Sequence, residues 1–209
     1  MSSLEERPGG SEMGSGEAVI LCIGGAAGSG KTTVARSLLE SAPGATLLML
    51  DKFYFEDPSL APTVTDRRSG RGIVDKGDPR SICWQKVSEE IGQVKWRAKL
   101  VIVEGIFSLT PLMPDLGQTR VYLDTPVDVS LARKILRKVR DQNEPAEQVV
   151  LNYLERGRDT FLQHIQPTAS RADLVLDGTL PCKFLVGEIL SCLTTTSNNQ
   201  SASEGKFSK

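Results

Sequence analysis

AVILCIGGAAGSGKTTVARSLLE, residues 18–40, opens with the continuous apolar run AVILCI and passes through GAAGSGKT (25–32) into the helical pattern TVARSLLE. A short unbroken apolar run reads as a strand buried on both faces. GAAGSGKT is GxxxxGK[ST] in its required strand-to-helix context. The glycines let the backbone curl so that consecutive N–H groups face phosphate oxygens, and the following helix adds its positive N-terminal end. Gly25, Ala26, Ala27, Gly28, Ser29, Gly30, Lys31, Thr32 and Thr33 are therefore the expected nucleotide-phosphate cradle. Lys31 brings a mobile cation to the outer phosphates, and the Thr32 hydroxyl is a magnesium ligand.

Further short apolar runs follow: TLLML (46–50), KLVIV (99–103), RVYL (120–123) and ADLVL (172–176). Helical stretches near 31–41, 80–95, 127–141, 145–165 and 181–193 separate them, and this alternation predicts an α/β fold with a parallel sheet covered by helices. Residues 1–17 and 194–209 are polar and read as disordered tails, leaving one domain over 18–193. Residues 52–78 carry Pro58, Pro62, Gly70, Gly72 and Gly77, and so long a connection inside a compact domain predicts a functional segment.

Composition excludes several classes. With 25 Lys and Arg against 26 Asp and Glu, the formal net charge of -1 draws the chain to neither nucleic acid nor an anionic membrane. The four cysteines show no CxxC spacing and read as reduced thiols, which predicts a cytoplasmic protein. No apolar run approaches a bilayer span, and Glu5, Glu6, Glu12 and Glu17 stand where a signal peptide would be basic and then apolar.

Ligands of open α/β sheets bind beyond the carboxyl ends of the strands, and here Asp51, Glu104, Asp124 and Asp177 each follow a predicted strand. Asp124 and Asp177 precede Thr-Pro and Gly and read as turn formers. Glu104, after four apolar residues and before Gly105, is placed to hold magnesium or its water shell opposite Thr32. Asp51 heads DKFYFED and is a candidate to orient an acceptor hydroxyl and take its proton. Phe53, Tyr54 and Phe55 either flank a flat substrate or belong to the core. Arg133, Arg137 and Arg140 share one helical face by their spacing and are candidates to neutralise a transferring phosphate.

GGAAGSGKTTVA (24–35), LDKFY (50–54), VIVEGIF (101–107), LARKILRK (131–138), EQVVLNY (147–153) and PTASRADLVLDG (167–178) together resemble the uridine kinase family. That family lies within a wider group of phosphate-loop kinases that includes phosphoribulokinase and nicotinamide riboside kinase. The resemblance implies a three-layer P-loop NTPase fold with sheet order 2-3-1-4-5 and a helical lid. It implies ATP with Mg²⁺, and transfer of the γ-phosphate to the 5′-hydroxyl of a ribonucleoside, uridine or cytidine, in pyrimidine salvage. On matching positions it makes Asp51 the base, Tyr54 a nucleoside-pocket residue, Glu104 a magnesium-associated acid and Arg137 a phosphate-contacting cation beside Lys31. Homo-oligomerisation is left open.

Three departures stand out. The family's ribose-binding acid falls in VDKGDPRSICW (74–84), where Asp75 and Asp78 are both candidates. QNEP (142–145) occupies the place of an Arg-rich lid run, with Arg140 and the Arg158 of RGRD (156–159) as compensating cations. The family's base-reading His and Tyr have no counterpart, and His164 reads as structural. The competing expectations are therefore a nicotinamide riboside, pantothenate or sugar kinase, or a nucleotide-binding regulator without catalysis.

Overall fold

The computed structural model describes residues 18–66 and 69–204, and of residues 196–204 the backbone alone. The tail expected over 1–17 lies outside the described residues, as do 205–209. The elements in chain order are β1 (Val19–Gly25), α1 (Lys31–Ser41), β2 (Ala45–Met49), β3 (Thr63–Thr65), β4 (Gly72–Val74), α2 (Trp84–Val94), β5 (Leu100–Glu104), β6 (Thr119–Asp124), α3 (Val127–Gln142), α4 (Ala146–Asn152), α5 (Arg158–Thr160), β7 (Leu174–Asp177) and α6 (Cys182–Glu204).

The main sheet runs β2-β5-β1-β6-β7, all parallel, which is 2-3-1-4-5 when its five strands alone are counted. Alternation along each strand divides the core into two layers. Leu21, Ile23, Leu100, Ile102, Val121 and Leu123 face α1 and α6, where Val34, Leu38, Leu185 and Ile189 are buried. Ile20, Cys22, Val101, Val103 and Tyr122 face the other way, onto Val87 and Ile91 of α2 and onto Phe107. Burial at Lys31, Val34, Ala35 and Leu38 is the i, i+3, i+4, i+7 stripe of a core-facing helix. Cys22 is fully buried and desolvation pushes its thiol up to about 12, so it serves as a small apolar residue. The four cysteines are free.

Three segments differ from expectation. The connection over 52–78 contains two short 3₁₀ turns' worth of local structure and the antiparallel pair β3–β4, whose three-residue strands are too short to leave a periodic signal. The helix expected over 145–165 is not uniform: α4 passes into a π turn at Tyr153–Gly157, the brief α5, and a second π turn at Phe161–Ile165. α6 continues past the buried Leu193 to Glu204, into the stretch expected as a tail. Residues 194–204 contain no Pro or Gly, so their sequence does not oppose propagation of a helix already nucleated on the sheet. No helix among the described residues is long and apolar enough to cross a membrane.

Candidate active site

The turn between β1 and α1 is held from both sides. Gly30 precedes α1 with φ of 101°, and Gly28 has φ of 94°, left-handed values that a side chain rarely adopts. A Cβ on Gly28 would collide with the Ser130 carbonyl of α3, so the loop and α3 are in direct backbone contact. Thr125 Oγ1 donates to the Ser29 carbonyl at 3.1 Å, tying the loop to the end of β6. The Ser29 hydroxyl is itself buried without a hydrogen-bond partner. The first turn of α1 leaves backbone N–H groups with no intrahelical acceptor, directed out of the helix end beside this loop.

Lys31 is buried, and its Nζ donates to the Ala26 carbonyl at 2.7 Å. Desolvation lowers its pKa to about 8, against the opposing pull of Glu104 and Asp51. Glu104 ends β5, is 5% exposed, and accepts a 3.2 Å hydrogen bond from Thr32 Oγ1. Burial raises its pKa, partly offset by Lys31 and by the Thr32 bond. A buried carboxylate beside a hydroxyl is a pair of hard oxygen donors whose desolvation a divalent cation would relieve. No group of three or more His, Cys, Asp or Glu converges among the described residues, so such an ion would complete its shell with ligand oxygens and water.

Two cavities meet here. One, of about 720 Å³, is walled by Gly28, Lys31, Thr32, Glu104, Arg133 and Arg137. The other, of about 1000 Å³, lies between the DKFYFE segment, the β3–β4 pair and the two π turns. Ala27, Asp51, Tyr54, Lys76 and Ile106 line both. Asp51 thus stands on the wall shared by the phosphate-loop cavity and its neighbour. Tyr54 donates its hydroxyl to the Lys76 carbonyl at 3.0 Å, while the Lys76 ammonium lies 5.5 Å from the centre of the Tyr54 ring. Burial, with Asp51 and Asp75 nearby, raises the Tyr54 pKa, so the phenol stays neutral and keeps donating.

The sequence profile of the phosphoribulokinase / uridine kinase family matches residues 78–183, just over half of the chain. The chain belongs to that family. Its relatives include the uridine kinase of Shewanella frigidimarina, 28% identical over 191 residues covering 78% of this chain and 89% of the relative. The uridine kinase of Ligilactobacillus salivarius is 27% identical over 180 residues, covering 76% and 84%. Among solved structures, shikimate kinase from Acinetobacter baumannii in complex with shikimate superimposes with a TM-score of 0.53 at 21% identity, over 86% of this chain and 94% of that one. This last likeness is one of fold.

Within this family member, the residues singled out from sequence divide by position. Lys31, Thr32, Asp51, Glu104 and Arg137 converge on the phosphate-loop cavity. Asp75 lines the second cavity and accepts from the Gly77 N–H at 2.9 Å. Asp78 lines neither cavity: it caps the turn at Pro79–Ser81 and holds Arg80 in a 2.6 Å ion pair, which lowers its pKa. Of the basic face of α3, Arg133 donates to the Gly178 carbonyl at 2.9 Å and Arg137 lines the cavity, whereas Arg140 is exposed and lines neither. The QNEP turn spans both mouths, with Gln142 on one and Glu144 on the other, and Lys138 bonded to Gln142 at 2.5 Å and paired with Glu144 at 3.4 Å. Asp177 closes a turn with Thr179, as its position before Gly178 suggests. His164 packs edge-on against Phe107 at 6.4 Å. Of the two arginines of RGRD, Arg156 lines the second cavity and Arg158 does not. Lys134, within the basic run of α3, also lines the second cavity, and the RGRD run was the one sequence signal for Arg156.

Proposed function

We propose that this protein is an ATP-dependent kinase that phosphorylates the 5′-hydroxyl of a ribonucleoside, with uridine the first choice, as its family membership and relatives suggest. The position of Asp51 on the wall between the two cavities carries the reading. ATP is assigned to the phosphate-loop cavity, with backbone N–H groups of residues 25–33, Lys31 and Arg137 around its phosphates. Mg²⁺ is assigned to Thr32 and Glu104, where, when bound, it draws negative charge from the phosphate oxygens.

The nucleoside is assigned to the second cavity, its ribose near Asp75 and its base among Tyr54, Phe55 and Phe161. Asp51 takes the proton of the 5′-hydroxyl as that oxygen bonds to the γ-phosphorus, and the bond from phosphorus to the bridging oxygen breaks, with ADP keeping the electron pair. Lys31 and Arg137 hold the charge that moves onto the leaving oxygens.

The test is a panel of nucleosides, sugars and small alcohols incubated with ATP and Mg²⁺, read by ADP release and product mass. Uridine 5′-phosphate is the expected product. In Asp51→Asn, ATP binding should persist while turnover falls by about two to four decades. A sugar or simple alcohol preferred over every nucleoside would leave a kinase with a different acceptor, and full activity in Asp51→Asn would remove the base.

A further inference from the structure

Arg156 lines the second cavity and does not reach the phosphate-loop cavity. It is half-buried on the first π turn, and no hydrogen bond or ion pair ties it to another described residue. A guanidinium drawn partly out of water without a partner is costly, and π turns recur where a helix has been reshaped to aim a side chain at a ligand. Three of the four acids that line this cavity are engaged elsewhere. Asp51 stands at the phosphate end, Asp75 bonds Gly77, Glu144 is paired with Lys138, and Glu56 is exposed.

The neighbouring polar group has the same character. Asn152 accepts from Gln148 at 3.0 Å through its carbonyl oxygen, which leaves its amide N–H₂ to donate. Arginine has donors only. These two groups, which line the second cavity and not the phosphate-loop cavity, therefore offer donors that a bound molecule answers with acceptors.

Gly77 fixes the order of groups. A Cβ there would collide with Thr160 Oγ1, so the Asp75–Gly77 turn abuts the helical segment that carries Arg156. With the hydroxyl assigned to Asp51 and the ribose to Asp75, the contact of this turn with Thr160, four residues along from Arg156, directs the base toward Arg156. Uracil presents a carbonyl oxygen at its position 4, and cytosine an amino donor at the same place.

We propose that Arg156 is a specificity-determining residue of the acceptor cavity, selecting a base with carbonyl oxygens at its edge and so favouring uridine over cytidine. The proposal rests on the nucleoside-kinase reading above. An amino group against the guanidinium sets donor against donor and leaves both unsatisfied, a mismatch that rejects far more strongly than a missing methylene.

The experiment compares kcat/KM for uridine and cytidine in the wild type, Arg156→Met and Arg156→Gln, with KM for ATP and the melting temperature of each. The wild type should prefer uridine by about tenfold or more. Arg156→Met should raise the KM for uridine, bring the two nucleosides within about twofold, and leave the KM for ATP unchanged. Arg156→Gln, whose amide both donates and accepts, should use both nucleosides better than Arg156→Met. Equal use of the two nucleosides by the wild type, as an accepting Glu56 would produce, overturns the proposal whether or not a variant folds. So does an Arg156→Met enzyme whose losses are the same for both. Turnover of another acceptor with no nucleoside phosphorylated would remove the nucleoside reading and this proposal with it, whereas nucleoside turnover without discrimination removes this proposal alone.

Discussion

Lys31 is an ammonium kept out of water in the protein without nucleotide, and its pKa of about 8 expresses the cost of keeping it there. Because the folded value lies below the ordinary 10.5, the unfolded chain holds more protons between the two, and stability rises with pH across that window. The cost is fully present below pH 8 and relieved toward 10.5. From pH 7 to pH 9.5, the stability of the nucleotide-free wild type relative to Lys31→Met should therefore rise by about 2 kcal/mol, read from denaturant melts. A gap that stays constant would mean that water reaches Lys31. The candidacies of Lys31, Thr32, Asp51 and Glu104 were all legible from local sequence, since each is set by its place in the loop or at a strand end. The choice between Asp75 and Asp78 was not. It turns on the partner Arg80, two residues along, folding back onto Asp78 and leaving Asp75 to the cavity.

α3 carries its basic residues at spacings that place Arg133, Arg137 and Arg140 near one face, yet they divide in space. Contact between Gly28 and the Ser130 carbonyl sets the N-terminal half of the helix against the phosphate loop, and Arg140 lies off the cavity although Lys138 and Gln142 on either side of it line its wall. On the proposed reading, Arg137→Ala should lower kcat by roughly ten- to a hundredfold, more than it raises the KM for nucleoside, because a cation fixed beside moving charge acts mainly in the transition state. Arg140→Ala should stay within about twofold of the wild type, as a solvated charge contributes little. Steady-state kinetics of the two variants decides it, and equal losses would mean that the lid closes over the full length of α3. The π turns were hidden for a related reason. A wide turn keeps the apolar residues at almost helical spacing, so Phe161 and Ile165 read as an ordinary helix face although they line the second cavity together with Tyr153, Arg156 and Thr160.

The two-layered core holds the cavities in register, and α6 covers one layer alongside α1. Ile189 is wholly buried in it. Ile189→Ala should cost about 2–5 kcal/mol by opening a void that the neighbouring side chains fill only in part, whereas removing residues 196–209 should change the denaturation midpoint little, since that stretch is polar and carries no apolar periodicity. A large loss from the truncation would show that the end of α6 packs on something essential. By itself the sequence determined the five strands of the main sheet, the phosphate loop and the acids at the strand ends, because each is written in a few contiguous residues: an apolar run, a glycine spacing, a carboxylate where the run stops. The rotation of α3, the π turns, the separate fates of Asp75 and Asp78, and the cavity to which Arg156 belongs were decided only by the tertiary structure. The second cavity is walled by segments from residue 26 to residue 165, and which side of each segment faces inward follows from how they pack together.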